Sequence, residues 1–95
     1  MIGEPLYRGP VKRSVTIAGH QTSISLEPAF WAALEAHAAS GGLPLNAVVA
    51  RIDAERIGAP DPPNLASAIR LWLFARSEAA AAALNAHHTI DGDDA

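Results

Sequence analysis

The order of apolar and polar residues along the chain changes period near residue 27. Upstream, Val15-Thr16-Ile17 and Thr22-Ser23-Ile24-Ser25-Leu26 alternate with the two-residue period of half-buried β-strands. Two geometries fit the intervening Ala18-Gly19-His20-Gln21. One is a tight hairpin with Gly19 at the first central position of a type II′ turn, which pairs Ile17 with Thr22 and Val15 with Ile24 and sets all four on one face. The other is a single long strand kinked at Gly19.

From Glu27 the period lengthens to that of a helix. Pro28 suits a first helical turn, where its missing N–H has no partner to lose, and Phe30, Leu34, His37 and Ala38 recur at i, i+4, i+7 and i+8. Gly41-Gly42 supplies the left-handed stop. Pro44 opens a second helix running to about Ile57, with Leu45, Val48, Val49 and Ile52 in one apolar stripe. A Pro-rich break follows, and Asn64 is a good N-cap for a third helix. There Leu65, Ile69, Trp72, Leu73 and Arg76 share a face while Leu71 and Phe74 lie elsewhere around it, so this helix is expected to be covered on two sides. Ala79 to Ala83 extends it through helix propensity with little to pack. The expected organisation is an irregular basic arm over residues 1–12, a domain over 13–84 and a disordered acidic tail over 85–95. The fold class is mainly α with a short β ribbon.

A lone ribbon cannot bury itself, and a chain of 95 residues makes one small, marginal core, for which oligomerisation is one remedy. There are no cysteines, hence no disulfide framework and no thiolate metal site. Neither a membrane span nor a secretory signal is legible, and the expectation is a cytoplasmic protein of bacterial type. The net charge of −3 does not advertise nucleic-acid binding. Its distribution is uneven, however: up to Leu26 the bases Arg8, Lys12 and Arg13 face Glu4 alone, and the acids dominate afterwards.

Strand, helix, Gly-containing turn, helix: the segment TSISLEPAFWAALEAHAASGGLPLNAVVARI, residues 22–52, resembles the ribbon-helix-helix (MetJ/Arc-like) superfamily. The flanking KRSVTIAGHQTSISLEPAFW and PPNLASAIRLWLF are similar to a bacterial branch of ribbon-helix-helix domain proteins. The resemblance implies a ribbon-helix-helix homodimer with an additional C-terminal helix. One strand from each subunit pairs antiparallel, the helices share a core, and the ribbon enters the DNA major groove. A hairpin in each subunit would instead give a four-stranded dimer sheet, whereas the groove accepts two strands.

Alternation places Ile24 and Leu26 toward the core and Gln21, Ser23 and Ser25 outward. The resemblance makes these three the base-contacting positions, and their chemistry suits it: Gln bonds adenine bidentately and Ser donates or accepts. Ser and Thr are equally at home on the wet face of an ordinary antiparallel sheet. The resemblance assigns phosphate contacts to the start of the second helix, here Leu45 and Asn46, although Pro44 stands where a hydroxyl cap is common. Arg8, Lys12 and Arg13 are further phosphate candidates. The implied dimer core is Ile24, Leu26, Phe30, Leu34, Val48, Val49, Ile52 and Trp72.

Other residues read as structure. His37 is expected as a core histidine bonded to a carbonyl, Glu27 as a favourable charge at a helix N-terminus, and Arg51, Arg56 and Arg70 as partners in ion pairs. No phosphate loop, nucleophile elbow or metal-spaced carboxylate pair occurs, so neither an enzyme, a cofactor nor a metal is expected. The leading expectation is a homodimeric transcriptional regulator binding double-stranded DNA. Its rival is a dimerisation and protein-interaction module, antitoxin-like or adaptor, that engages another protein through the C-terminal helix.

Overall fold

The computed structural model describes residues 6–93, and the side chains of residues 6–85. Strands β1 (Val11–Ile17) and β2 (His20–Leu26) form a two-stranded antiparallel sheet, followed by helices α1 (Pro28–Ser40), α2 (Leu45–Ile57) and α3 (Leu65–Asp93).

The hairpin geometry is realised, with a turn one residue earlier than the type II′ reading places it. Ala18 (φ 50°) and Gly19 (φ 84°) are the two turn residues, and positive φ at both positions is the mark of a type I′ turn. The register therefore pairs Val15 with Thr22 and Ile17 with His20, and Arg13, not Val15, stands opposite Ile24. A left-handed alanine costs about 1–2 kcal/mol. In return, all seven residues of each strand are paired, including Val11 with Leu26 and Lys12 with Ser25, contacts the alternative register would cut short at Pro28. The side-chain faces survive the correction: Val15, Ile17, Thr22 and Ile24 still lie together.

The helices begin and end for local reasons. Glu27 is the N-cap of α1 with Pro28 in its first turn. At its end the Gly42 N–H donates to the Ala39 carbonyl (3.1 Å) and the Leu43 N–H to the Ala38 carbonyl (2.9 Å), a Schellman stop that needs the left-handed Gly42 (φ 67°). Pro44 occupies the N-cap of α2 and offers no side-chain bond. For α3, Asn64 Oδ1 accepts from the Ser67 N–H at 2.8 Å, which satisfies one of the helix's orphan donors.

The core lies where the hairpin's inner face meets all three helices: Val15, Ile24 and Leu26 from the strands, Trp31, Leu34 and Ala38 from α1, Val48, Val49 and Ile52 from α2, and Ala68, Ile69 and Leu73 from α3. Fully burying each large aliphatic chain stabilises the fold by roughly 1.5–3 kcal/mol. Six of the residues implied for a dimer core, Ile24, Leu26, Leu34, Val48, Val49 and Ile52, are thus already buried within one chain, while Phe30 and Trp72 are partly buried at its margin.

Polar clamps tie the elements together. The Trp31 indole N–H donates to the Val11 carbonyl (2.9 Å), holding the start of β1 on α1. Arg70 of α3 grips Glu27 with two hydrogen bonds, Nε to Oε1 at 2.9 Å and Nη2 to Oε2 at 3.1 Å. Arg56 bonds Asp53 within α2 and reaches the Pro63 carbonyl (3.2 Å), fixing the α2–α3 connection.

Five expectations change. His37 is exposed and not a core residue; it meets the Trp72 ring edge-on, with centroids 5.1 Å apart, because the buried stripe of α1 runs through Trp31, Leu34 and Ala38. Glu27 does more than sit at a helix start, since its carboxylate is the anchor for Arg70. The face of α3 carrying Leu71 and Phe74 is uncovered, at 61% and 62% exposure. Val11 and Lys12, assigned to the arm, lie in β1, and α3 runs past residue 85 to Asp93 with no break at the expected start of the tail. Residues 75–85 are all exposed. This projecting half of α3 raises the radius of gyration to 16.0 Å, against about 12 Å for a compact chain of this length.

Candidate nucleic-acid interface

Strand alternation turns one row of the hairpin away from the helices. That outer row consists of Lys12, Ser14 and Thr16 on β1 and Gln21, Ser23 and Ser25 on β2, facing each other as Lys12–Ser25, Ser14–Ser23 and Thr16–Gln21. All six are exposed. The row contains no apolar and no acidic residue, and its one charge is the Lys12 ammonium. Among the described residues no side-chain hydrogen bond or ion pair engages any of the six, so their donors and acceptors are directed to solvent.

The three expected base-contacting residues, Gln21, Ser23 and Ser25, are therefore brought together in one line. The facing residues Ser14 and Thr16 were overlooked in the sequence, although the alternation Lys12, Ser14, Thr16 against Val11, Arg13, Val15, Ile17 carries the signal.

The phosphate candidates separate. Lys12 lies in the outer row. Arg13 belongs to the inner row by register, and its guanidinium stacks over the Trp31 ring (4.5 Å to the centroid) and pairs with Glu35 (3.1 Å). Arg8 lines the same hollow as Arg13, Trp31 and Glu35, a depression of about 360 Å³ against α1. Leu45 is half-buried and Asn46 exposed at the start of α2. The hairpin tip shares a hollow with Asp53, Arg56 and Leu65. Asn46 is about 10 Å from Asp53 along the α2 axis, at 1.5 Å per residue. The structure thus groups Lys12 with the polar row, Arg8 with Arg13, and Leu45 with Asn46.

Electrostatics at the base of the site are held by Glu27. Its carboxyl titrates below the ordinary value of 4.5, first through a backbone hydrogen bond at Glu27 itself and then through the Arg70 guanidinium. The pair keeps α3 against the junction of β2 and α1, and so holds the helices behind the ribbon.

A second surface of different chemistry lies on the helical side. Ala29, Phe30 and Ala33 of α1 and Arg70, Leu71, Leu73, Phe74 and Ser77 of α3 line an apolar groove of about 460 Å³. On the α2 flank of α3, Arg76 lies over the Trp72 ring at 4.1 Å, and the Trp72 indole N–H is buried without a hydrogen-bond partner. No helix among the described residues is long and apolar enough to cross a membrane, and none of their side chains form a cluster of three or more metal-ligating groups.

Comparison with known proteins agrees with the topology. No curated protein and no solved structure matches the chain. The model of the ribbon-helix-helix domain matches residues 10–77, from just before β1 into the middle of α3. This match takes in the hairpin, α1, α2 and the packed half of α3, and the chain belongs to the ribbon-helix-helix domain family.

Proposed function

We propose that this protein is a sequence-specific DNA-binding transcriptional regulator that acts as a homodimer through an intersubunit β ribbon, the polar outer face of which lies in the major groove. The observation that carries the reading is the outer row: six exposed residues, none apolar, none acidic and none engaged by the rest of the described chain. A two-stranded ribbon fits the major groove, and Gln and Ser hydrogen-bond base edges. Lys12 is the phosphate contact best placed for this role, joined by the free N–H groups of Leu45 and Asn46 at the α2 N-terminus. Arg8 and Arg13 flank the ribbon on its α1 side.

Homodimerisation is supported by the family and by the uncovered apolar face at Phe30, Leu71 and Phe74. A salt titration on random duplex DNA tests the reading: affinity should fall steeply with salt, as counterions are released. Gln21→Ala combined with Ser23→Ala should relax sequence preference. Absence of binding at low salt would remove the reading.

A second reading has its own support. Leu71, Phe74 and Leu84 are exposed on α3 and play no part in gripping DNA, which favours a ribbon-helix-helix module that docks another protein through its C-terminal helix. Under that reading Phe74→Glu abolishes partner capture, and the outer-row substitutions change nothing.

A further inference from the structure

We infer that a second copy of this chain covers the groove between α1 and α3, by laying the projecting half of its own α3 antiparallel along it. The contact uses no residue of β1 or β2, so it adds to pairing through the ribbon and stands apart from the DNA-binding reading. The groove is apolar and holds about 460 Å³, with Phe30 and Ala33 on the α1 wall and Leu71 and Phe74 on the α3 wall. Its α3 wall does not stop where the core stops. Arg70, Phe74, Ser77, Ala81 and Leu84 follow one another at steps of 4, 3, 4 and 3 residues, the spacing that keeps one helix face on a partner helix. Arg70 is paired with Glu27, and the stripe beyond it is uncharged. Phe74 and Leu84 are 62% and 70% exposed.

From Ala75 onward α3 projects away from the core, and every residue to Asn85 is exposed. Helices in proteins draw most of their stability from packing a face, and a short one standing alone in water is marginal even when rich in alanine. A groove without a helix and a helix without a groove thus occur on the same chain. Leu84 follows Phe74 by ten residues, about 15 Å along the axis. A two-fold axis at the level of residue 79 therefore sets Leu84 of the second copy in the groove beside Phe74 and repeats the contact at the other end, as an isologous pair requires. Ser77 of each copy then faces Ala81 of the other, and side chains this small let the helix axes approach to about 8 Å. The overlap from residue 70 to 88 is about 27 Å long. With both helices and the α1 walls it buries on the order of 1,000 Å², the size expected of a specific contact.

The full chain has no cysteine, so single introduced thiols report the pairing. Ser77→Cys and Ala81→Cys are prepared separately, mixed in urea, refolded together and oxidised, and the linked chains are identified by mass. The mixture should give a disulfide between residue 77 of one copy and residue 81 of the other. Each variant alone should give little, because like positions are displaced by about 6 Å along the axis and a disulfide needs Cα atoms about 4.4–6.8 Å apart. Adding Leu84→Glu to both chains should cut the linked yield about tenfold with an unchanged melting temperature, since the residue is exposed within one chain. Linking of each variant to itself as readily as in the mixture would signal a parallel pair or chance collision and would overturn the inference. So would a yield that Leu84→Glu does not alter, and so would the absence of any link, which would leave the groove to a different protein.

Discussion

The two faces of the β1–β2 hairpin are made by the same fourteen residues and obey opposite rules. On the inner face Val15, Ile24 and Leu26 are buried, Ile17 and Thr22 are half-buried, and Arg13 is held by Trp31 and Glu35. On the outer face six polar side chains are exposed and make no side-chain hydrogen bond or ion pair among the described residues. The inner row therefore carries stability and the outer row is left to recognition. Because alternation assigns the rows one residue at a time, substitutions at adjacent positions should have unrelated consequences.

The sharpest break comes from Leu26→Ala. Leu26 is fully buried, and its truncation should destabilise the fold by about 2–5 kcal/mol, read as a lower urea midpoint. One position earlier, and likewise at Gln21 and Ser23, truncation should leave stability almost unchanged. The triple change Gln21→Ala, Ser23→Ala, Ser25→Ala is expected to leave stability within about 0.5 kcal/mol per site. The same variant should lose about 1–3 kcal/mol of discrimination per good base contact, measured as the ratio of affinities for selected and random duplexes. A large loss of stability in the triple variant would mean that the outer row is packed against something.

The turn that sets both rows offers a smaller effect of opposite sign. Ala18→Asn places Asn-Gly in a type I′ turn, where asparagine tolerates positive φ, and should stabilise the chain by about 0.5–1 kcal/mol in the same urea assay. A destabilised variant would count against the register. Smallest is the pH response of the clamp behind the ribbon. Glu27 has a depressed folded-state pKa, so its contribution is fully present above the unfolded value of 4.5 and is lost as pH falls through the folded one. Wild type and Glu27→Gln should therefore differ in urea midpoint at neutral pH, begin to converge near pH 4.5 and coincide once the pH is below the folded-state value. A difference that persists below the folded-state value would show that Arg70 does not act through the ionised carboxylate.

Much of the fold was legible in the sequence because local chemistry decided it. Pro28, Gly41-Gly42, Pro44 and Asn64 punctuate the helices within a residue or so of their observed ends, and the stripe Val48, Val49, Ile52 is buried as its spacing requires. The outward set Gln21, Ser23, Ser25 follows from alternation alone. The turn was misplaced because a non-glycine residue is not expected at positive φ. Only completion of the strand pairing down to Val11 accounts for Ala18 adopting it. The place of Arg13 was hidden for a similar reason: a cation beside other cations looks solvated until Trp31 and Glu35, far along the chain, are seen beneath it. Glu27–Arg70 joins residues 43 apart, a separation at which no helical periodicity helps.

The tight turn at Ala18-Gly19 also bears on how the molecule assembles in time. A ribbon shared between two chains forms by encounter, at a rate that rises with protein concentration. Among the described residues every strand pairing lies within the sixteen residues from Val11 to Leu26. Loop closures of about this length take roughly 10–100 ns and hairpins about 1–10 μs. Formation of the hairpin should accordingly be first order and independent of concentration, so that the polar face exists before two copies meet.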